Sequence, residues 1–193
     1  EVWHSHLQNE NQTLAHQASH DSLTGLPNRA FFEGRLNRSV RNAARQRDHL
    51  ALLFLDSDHF KQINDTLGHA VGDEVLISVA DRVRAQLREH DLVARLGGDE
   101  FAVLLTPLQS RKDAEQIAEK IVASMKLPVQ LDSGRSIATS LSVGIAYYPD
   151  DGADPASLLN AADAAMYEAK RKRRGHWQVA QTERSASEIK NRS

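Results

Sequence analysis

Apolar positions along the chain fall into three patterns: narrow helical seams, short runs apolar at every position, and polar ends. Residues 1–20 carry Trp3, Leu7, Leu14 and Ala18 at spacings of 4, 7 and 4, which suits a helix with one thin apolar stripe interrupted by Glu10 and Gln17. A stripe that thin cannot bury enough surface alone, so the segment reads as the end of a coiled-coil linker from an upstream module, with a frayed end as the alternative. Residues 21–28 are rich in turn formers, with Gly25 and Pro27, and Asn28 is placed to cap a helix whose stripe is Phe32, Leu36, Val40 and Ala43. Residues 51–55 are apolar throughout and predict a strand covered on both faces, with Asp56-Ser57-Asp58 at its C-terminal end. A short helix over about 59–67 should stop at Gly68, and a longer one should run from after Gly72 to about Arg88, with Leu76, Ala80, Val83 and Leu87 on one face.

Two short apolar runs, 92–96 and 101–105, flank Gly97-Gly98 and predict a hairpin turning on that glycine pair. A helix over about 112–126, two strands within 129–148 around Asp132-Ser133-Gly134, and a helix over about 155–173 complete the pattern. The expected fold is an α/β (α+β) sandwich, an elaborated ferredoxin-like mixed sheet with helices on its faces. Its expected domains are a helical linker over 1–20, a globular unit over 21–178 and a polar, disordered tail over 179–193.

Composition narrows the chemistry. The chain has 193 residues and a formal net charge of -2, so it exerts no global pull on nucleic acid or anionic membrane, and phosphate binding must come from local charge. The absence of a paired aromatic motif on the central strands also argues against an RNA-binding sheet. With no cysteine, disulfide scaffolds, thiolate metal sites and cysteine nucleophiles are excluded. No apolar run approaches the roughly 20 residues of a membrane helix. A start at Glu1 without a signal-peptide pattern reads as a segment cut from a longer chain.

The most informative residues are Asp56, at the end of a buried strand, and Asp99 and Glu100, just after the hairpin glycines. If the hairpin lies beside that strand, three carboxylates converge at one rim of the sheet, a hard-oxygen set suited to Mg²⁺. Because consecutive strand residues point to opposite faces, Asp99 is expected to be the better placed ligand of the adjacent pair. Lys61 and Asn64 share a helix face and Asp73 follows a turn. Lysine neutralises phosphate, and an Asp with an Asn can select guanine over adenine. Asp73 is equally well placed to cap a helix. The basic run Lys170 to Arg174 suits either a helix C-terminus or a triphosphate. His16 and His20, spaced i, i+4, lack the Glu of a zinc-protease motif and read as surface residues, and no Gly-x-Ser-x-Gly elbow is present.

Arg95-Leu96-Gly97-Gly98-Asp99-Glu100-Phe101 strongly resembles the signature of the GGDEF family of diguanylate cyclases. Further blocks resemble the family in order: Asp21 through Arg29, Asp56-Ser57-Asp58-His59-Phe60-Lys61 through Asn64-Asp65, Gly68-His69, Gly72-Asp73, and Ala162-Asp163 through Tyr167 to Lys170. The resemblance spans about 21–176. It implies condensation of two GTP into cyclic di-GMP with release of pyrophosphate, in an antiparallel homodimer whose two sites face each other. Asp56 and Asp99 would then bind Mg²⁺ (or Mn²⁺) with the Ser57 carbonyl, and Glu100 would join the metal or, like Asp99, accept the 3′-hydroxyl proton. Lys61 would stabilise phosphate charge, and Asn64 and Asp73 would read guanine. Phe60, His69, Gly97 and Gly98 would lie against substrate, and Lys170 and Arg174 would hold phosphates, with Arg173 as alternative to Arg174 because Arg171, Lys172 and Arg173 replace the small residues usual there.

The resemblance also implies a product-inhibition site at Arg88-Glu89-His90-Asp91. The arginine that often completes it on the next helix is Lys120 here, and lysine cannot reproduce a planar bidentate guanidinium contact, so feedback inhibition is expected to be weak or absent. Family members commonly sit on the cytoplasmic side behind sensor modules, which implies an upstream input module and a parent anchored in a bacterial inner membrane. The rival expectation is a catalytically silent receptor for GTP or cyclic di-GMP.

Overall fold

The computed structural model describes residues 2–181. Thirteen elements follow in chain order: α1 (Val2–Ser19), α2 (Arg29–Gln46), β1 (Leu50–Ser57), α3 (Phe60–Leu67), α4 (His69–Ala85), β2 (Leu92–Gly97), β3 (Glu100–Leu105), α5 (Arg111–Ser124), β4 (Val129–Gln130), β5 (Ser136–Ile137), β6 (Leu141–Tyr148), α6 (Pro155–Lys172) and β7 (Trp177–Val179). A five-stranded sheet has the order β2-β3-β1-β6-β7, antiparallel except for the parallel β6–β7 pair. The expected mixed α/β sandwich is what forms.

β1 is apolar from Leu50 to Leu55 because it is flanked by β3 and β6 and covered on both faces. Leu50, Leu52 and Phe54 pack with Phe32, Leu36 and Val40 of α2 and Leu158, Ala162 and Met166 of α6. Ala51, Leu53 and Leu55 face Val75, Val79 and Val83 of α4 and Ala118 and Ile121 of α5. Alternate residues of one strand thus feed two separate cores, each removing apolar surface from water. The starts of α2 and α6 follow the capping rules: the Asn28 side chain accepts from the Phe31 N–H at 3.0 Å and Asp154 from the Ser157 N–H at 2.9 Å, with Pro155 in the first turn of α6. The linker helix α1 stands clear of both cores, exposed from residue 3 to residue 18. Its junction is tied down by Asn28, whose Nδ2 donates to the Ala18 carbonyl at 2.9 Å.

The structure moves four expected boundaries. The α4 helix starts at His69 rather than after Gly72, so Asp73 lies in its second turn and is not a cap. Helix is possible there because Gly72 leaves room for Asn64: a Cβ on Gly72 would lie 1.8 Å from Asn64 Oδ1. The hairpin turns on Gly98-Asp99, since Gly97 still pairs with Glu100 after an irregularity in the β2–β3 register. Around Asp132-Ser133-Gly134 lies a separate two-stranded ribbon, β4–β5, so the stretch holds three strands instead of two. Last, β7 extends the sheet to Val179, and the Ala180 N–H donates to the Ile145 carbonyl at 2.7 Å, so residues 179 and 180 belong to the fold rather than to a tail. Gln181 follows with no regular structure, and the rest of the expected tail, 182–193, lies outside the described residues.

Candidate active site at the end of the central strands

The β1–β3 register sets Asp56 directly across from Glu100, and the turn that precedes Glu100 carries Asp99. Partners in an antiparallel pair project to the same face, here the face covered by α2 and α6. The turn is held from two sides. Ser57 N–H donates to the Asp99 carbonyl at 3.4 Å, and Arg95 Nε donates to the Gly98 carbonyl at 2.9 Å. Arg95 is fixed in turn by an ion pair with Asp21 at 3.0 Å. Burial pushes the Asp21 carboxyl up, but hydrogen bonds from the Thr24 hydroxyl and N–H, with the Arg95 charge, outweigh it and hold the group below its ordinary value. Asp21 and Arg95 were not among the expected site residues. Their signal was available, because each opens one of the sequence blocks that carry the resemblance, but only the fold shows one gripping the other beneath the turn.

The three carboxyls oppose one another electrostatically. Burial, the hydrogen bond that its protonated form makes to Asp56, and the Asp56 charge together raise Asp99 to about 7. Burial first, then the charges of Asp56 and Asp163, raise Glu100, against opposing pulls from Arg29 and Lys170. Lys170, on the last turn of α6, counters this charge: its Nζ lies 3.0 Å from Asp56 Oδ2 and 3.8 Å from Asp58 Oδ1. The other oxygen of Asp56, Oδ1, is buried with no hydrogen-bond partner among the described residues.

Among the described residues no three His, Cys, Asp or Glu side chains form a ready-made metal cage, so the expected three-carboxylate convergence is a shared field rather than a closed ligand set. The donor chemistry nevertheless fits a hard divalent ion. An orphaned carboxylate oxygen sits beside a second carboxyl that holds a proton near neutrality, and a lysine ammonium stands where positive charge is needed. Mg²⁺ characteristically takes one or two protein carboxylates and fills its remaining positions with water and phosphate.

α3 leaves the end of β1 after only two intervening residues and carries Phe60, Lys61 and Asn64. Asn64 packs against Gly72, so it lies beside Asp73, and its Oδ1 is buried without a partner among the described residues. Lys61, His69 and Asp73 are exposed on the same pair of helices, as are Gly97 and Gly98 at the hairpin. The basic run divides sharply. Arg171 is taken up by Glu168 at 2.9 Å and Lys172 by Gln178 at 3.2 Å, whereas Lys170 points to the carboxylates and the Arg173 and Arg174 guanidiniums make no ion pair among the described residues. Arg174 lies beyond the end of α6, past the extended C-cap Arg173.

Arg88 and Asp91 sit elsewhere. They pair with each other at 3.1 Å before β2, whereas the carboxylates lie past its other end, roughly 16 Å along the strand. Lys120 is exposed on α5.

A family model described as "Diguanylate cyclase, GGDEF domain" matches residues 18–176. The chain belongs to this family. It is 61% identical over 181 residues to "Diguanylate cyclase TpbB" of Pseudomonas aeruginosa strain UCBPP-PA14, covering 94% of this chain and 42% of that protein. To "Diguanylate cyclase DgcN" of Escherichia coli K12 it is 42% identical over 173 residues, 90% of this chain and again 42% of the relative. The chain therefore spans less than half the length of these relatives. Among solved structures, a GGDEF-only form of PA1120 (TpbB or YfiN) from P. aeruginosa superposes with TM-score 0.83 at 57% identity, covering 90% of this chain and 99% of that one. The coiled coil and GGDEF domain of DgcB from Caulobacter crescentus, in complex with c-di-GMP, superposes with TM-score 0.85 at 30% identity, covering 93% and 94%. The GGDEF signature, Gly97 to Phe101, is thus the hairpin that carries Asp99 and Glu100 to the end of β1.

Proposed function

We propose that this domain condenses two GTP into cyclic di-GMP and two pyrophosphates, one GTP being held by each of two copies. The observation that carries the reading is the β1–β3 register, which sets Asp56 and Glu100 side by side with Asp99 on the adjoining turn and Lys170 facing them. In the reaction the ribose 3′-oxygen of one GTP forms a bond to the α-phosphorus of the other, its proton leaves, and the bond to the pyrophosphate oxygen breaks. Repeating the step with roles exchanged closes the ring.

Asn64 and Asp73 hold the guanine, and the unpartnered Asn64 Oδ1 supports this, because a buried acceptor with nothing to accept from is costly until a base supplies an N–H. Phe60 and His69 wall the base, and the bare backbone of Gly97 and Gly98 lets phosphate approach the hairpin. Lys61, Lys170 and Arg174, or Arg173 in its place, neutralise phosphate charge. Asp99 or Glu100 accepts the 3′-hydroxyl proton. Asp56 and Asp99, with the Ser57 carbonyl and Glu100, would hold Mg²⁺ or Mn²⁺, which when bound stabilises charge on the attacking and leaving oxygens.

The two half-reactions need two facing sites, which makes the active form a homodimer. The exposed seam of α1, with Trp3, Leu7 and Leu14 on the surface, suits pairing of two linker helices and coupling to an upstream sensor module. No helix among the described residues is long and apolar enough to cross a membrane. We place the domain on the cytoplasmic side of a membrane-anchored parent.

With GTP and Mg²⁺, product measured by chromatography should rise more steeply than linearly with protein concentration. GTP binding without product at any concentration, even with α1 extended into a dimerising coiled coil, would instead favour a silent receptor. Product affinity at Arg88 and Asp91 should be weak, since the pair is already satisfied internally and Lys120 offers only a point charge. Low-micromolar binding of cyclic di-GMP by calorimetry, lost in Arg88→Ala, would overturn that expectation.

A further inference from the structure

Asp58 has no part in the chemistry above, yet among the described residues it is the acid whose side chain accepts from the most residues. Its side chain is wholly buried. Oδ2 accepts from the Ser140 hydroxyl at 2.5 Å and from the Gly175 N–H at 2.9 Å, and Oδ1 accepts from the Ser142 hydroxyl at 2.8 Å and lies 3.8 Å from Lys170 Nζ. Its own N–H donates to the Ser140 carbonyl at 2.9 Å. These partners come from four places: Ser140 just before β6, Ser142 within β6, Lys170 on the last turn of α6, and Gly175 in the turn after it. A buried carboxylate is tolerated only when its oxygens are met by donors, and here each oxygen meets donors from different stretches of the chain.

The segment gripped through Gly175 is the one that carries the basic run. Gly175 adopts a left-handed φ of 75°, directly after Arg173 and Arg174, whose guanidiniums make no ion pair among the described residues. One end of this segment is fixed at Lys170, drawn between Asp56 and Asp58, and the other at Gly175. We infer that Asp58 is a positioning residue which clamps residues 170–175, so that Lys170 and the Arg173-Arg174 pair face the triphosphate of bound GTP. The inference rests on the cyclase reading of the site and adds to it a residue that touches no substrate. Asp58 acts through the segment it holds, at the phosphate end, whereas Asn64 and Asp73 lie on α3 and α4.

Asp58→Asn tests this directly. An amide nitrogen donates and cannot accept, so Asn gives up either the acceptor for the Gly175 N–H or the oxygen that faces Lys170, one end of the clamp, while side-chain volume is kept. Calorimetry in chelator, where no turnover occurs, reads the affinities for GTP and GMP separately. The expected result is a loss of at least about tenfold for GTP, with GMP changed by less than about twofold. Ser140→Ala, which keeps the carboxylate and removes one donor, should shift GTP in the same direction by a smaller factor, and it keeps the idea testable if Asp58→Asn melts. Parallel losses for GTP and GMP would reduce Asp58 to a general structural role, and unchanged GTP affinity in both variants would remove it from the site; either overturns the inference. A wild-type protein that binds neither nucleotide would overturn the cyclase reading and this inference with it.

Discussion

Asp99→Asn should lower cyclic di-GMP formation by about 10³-fold or more with the fold retained, because it removes the carboxylate that would hold the metal and accept the 3′-hydroxyl proton while keeping shape. Asp99 stands on the turn rather than in the strand, tied through its carbonyl to Ser57 and through its neighbour Gly98 to Arg95, so the substitution leaves the hairpin anchored. The same change has a pH signature in the absence of metal. Asp99 in the folded protein sits at about 7, against 3.8 for an ordinary aspartate, so the fold holds its proton more tightly than the unfolded chain does. Its contribution to stability is full below about pH 3.8 and is lost as pH rises through about 7. Asn does not titrate. Thermal melts in chelator should therefore show Asp99→Asn gaining on wild type between pH 5 and pH 8. A gap that stays constant over that range would mean that Asp99 is not the strained member of the cluster, and wild-type turnover by the variant would remove it from catalysis.

The second large effect concerns Gly144. Gly144 lies in β6, paired with Phe54 of β1, and α6 crosses directly over it. A Cβ there would fall 2.0 Å from the Ala162 carbonyl oxygen and 2.3 Å from the Met166 nitrogen. Both are helix backbone, which cannot rotate aside as a side chain can. Gly144→Ala must lift α6 from the sheet or bend β6, at a cost of about 3 kcal/mol, which for a domain of this size lowers Tm by roughly 6–12 °C. Since α6 carries Lys170 to Asp56, activity should fall at temperatures where the variant is still folded. Calorimetric melting and turnover at 20 °C check both parts. A variant that melts within a degree or two of wild type would show that the helix has slack the packing does not display.

Much of this was legible beforehand. The unbroken apolar run of β1 announced a strand covered on both faces, the stripe from Phe32 to Ala43 and the Asn28 cap announced α2, and the spacing of Asp56 from Asp99 and Glu100 announced a carboxylate rim. Periodicity and capping act within one element, so the chain order displays them. Where the reading slipped, the deciding contact lay across elements. Gly72 was taken for a turn residue, but it is a close-approach point for Asn64, and the helix runs through it. The glycine pair was taken for the whole turn, but Gly97 pairs with Glu100 and passes the turn to Gly98 and Asp99. β7 escaped notice because three residues hold no readable period, and what makes Trp177–Val179 a strand is the exposed edge of β6.

By itself the sequence determined the order and type of the main elements, the acidic and basic residues available for phosphate chemistry, and, through its ordered blocks, the family. Only the tertiary structure decided which of those charges meet. It set Lys170 against Asp56 across more than a hundred residues, gripped Arg95 with Asp21 beneath the hairpin, and gave Asp58 donors from β6 and from the turn after α6. The reason is physical: a helix or strand is specified by neighbours a few residues apart, whereas the state of a carboxylate depends on every donor, charge and desolvating atom brought within a few ångströms of it, wherever in the chain they began.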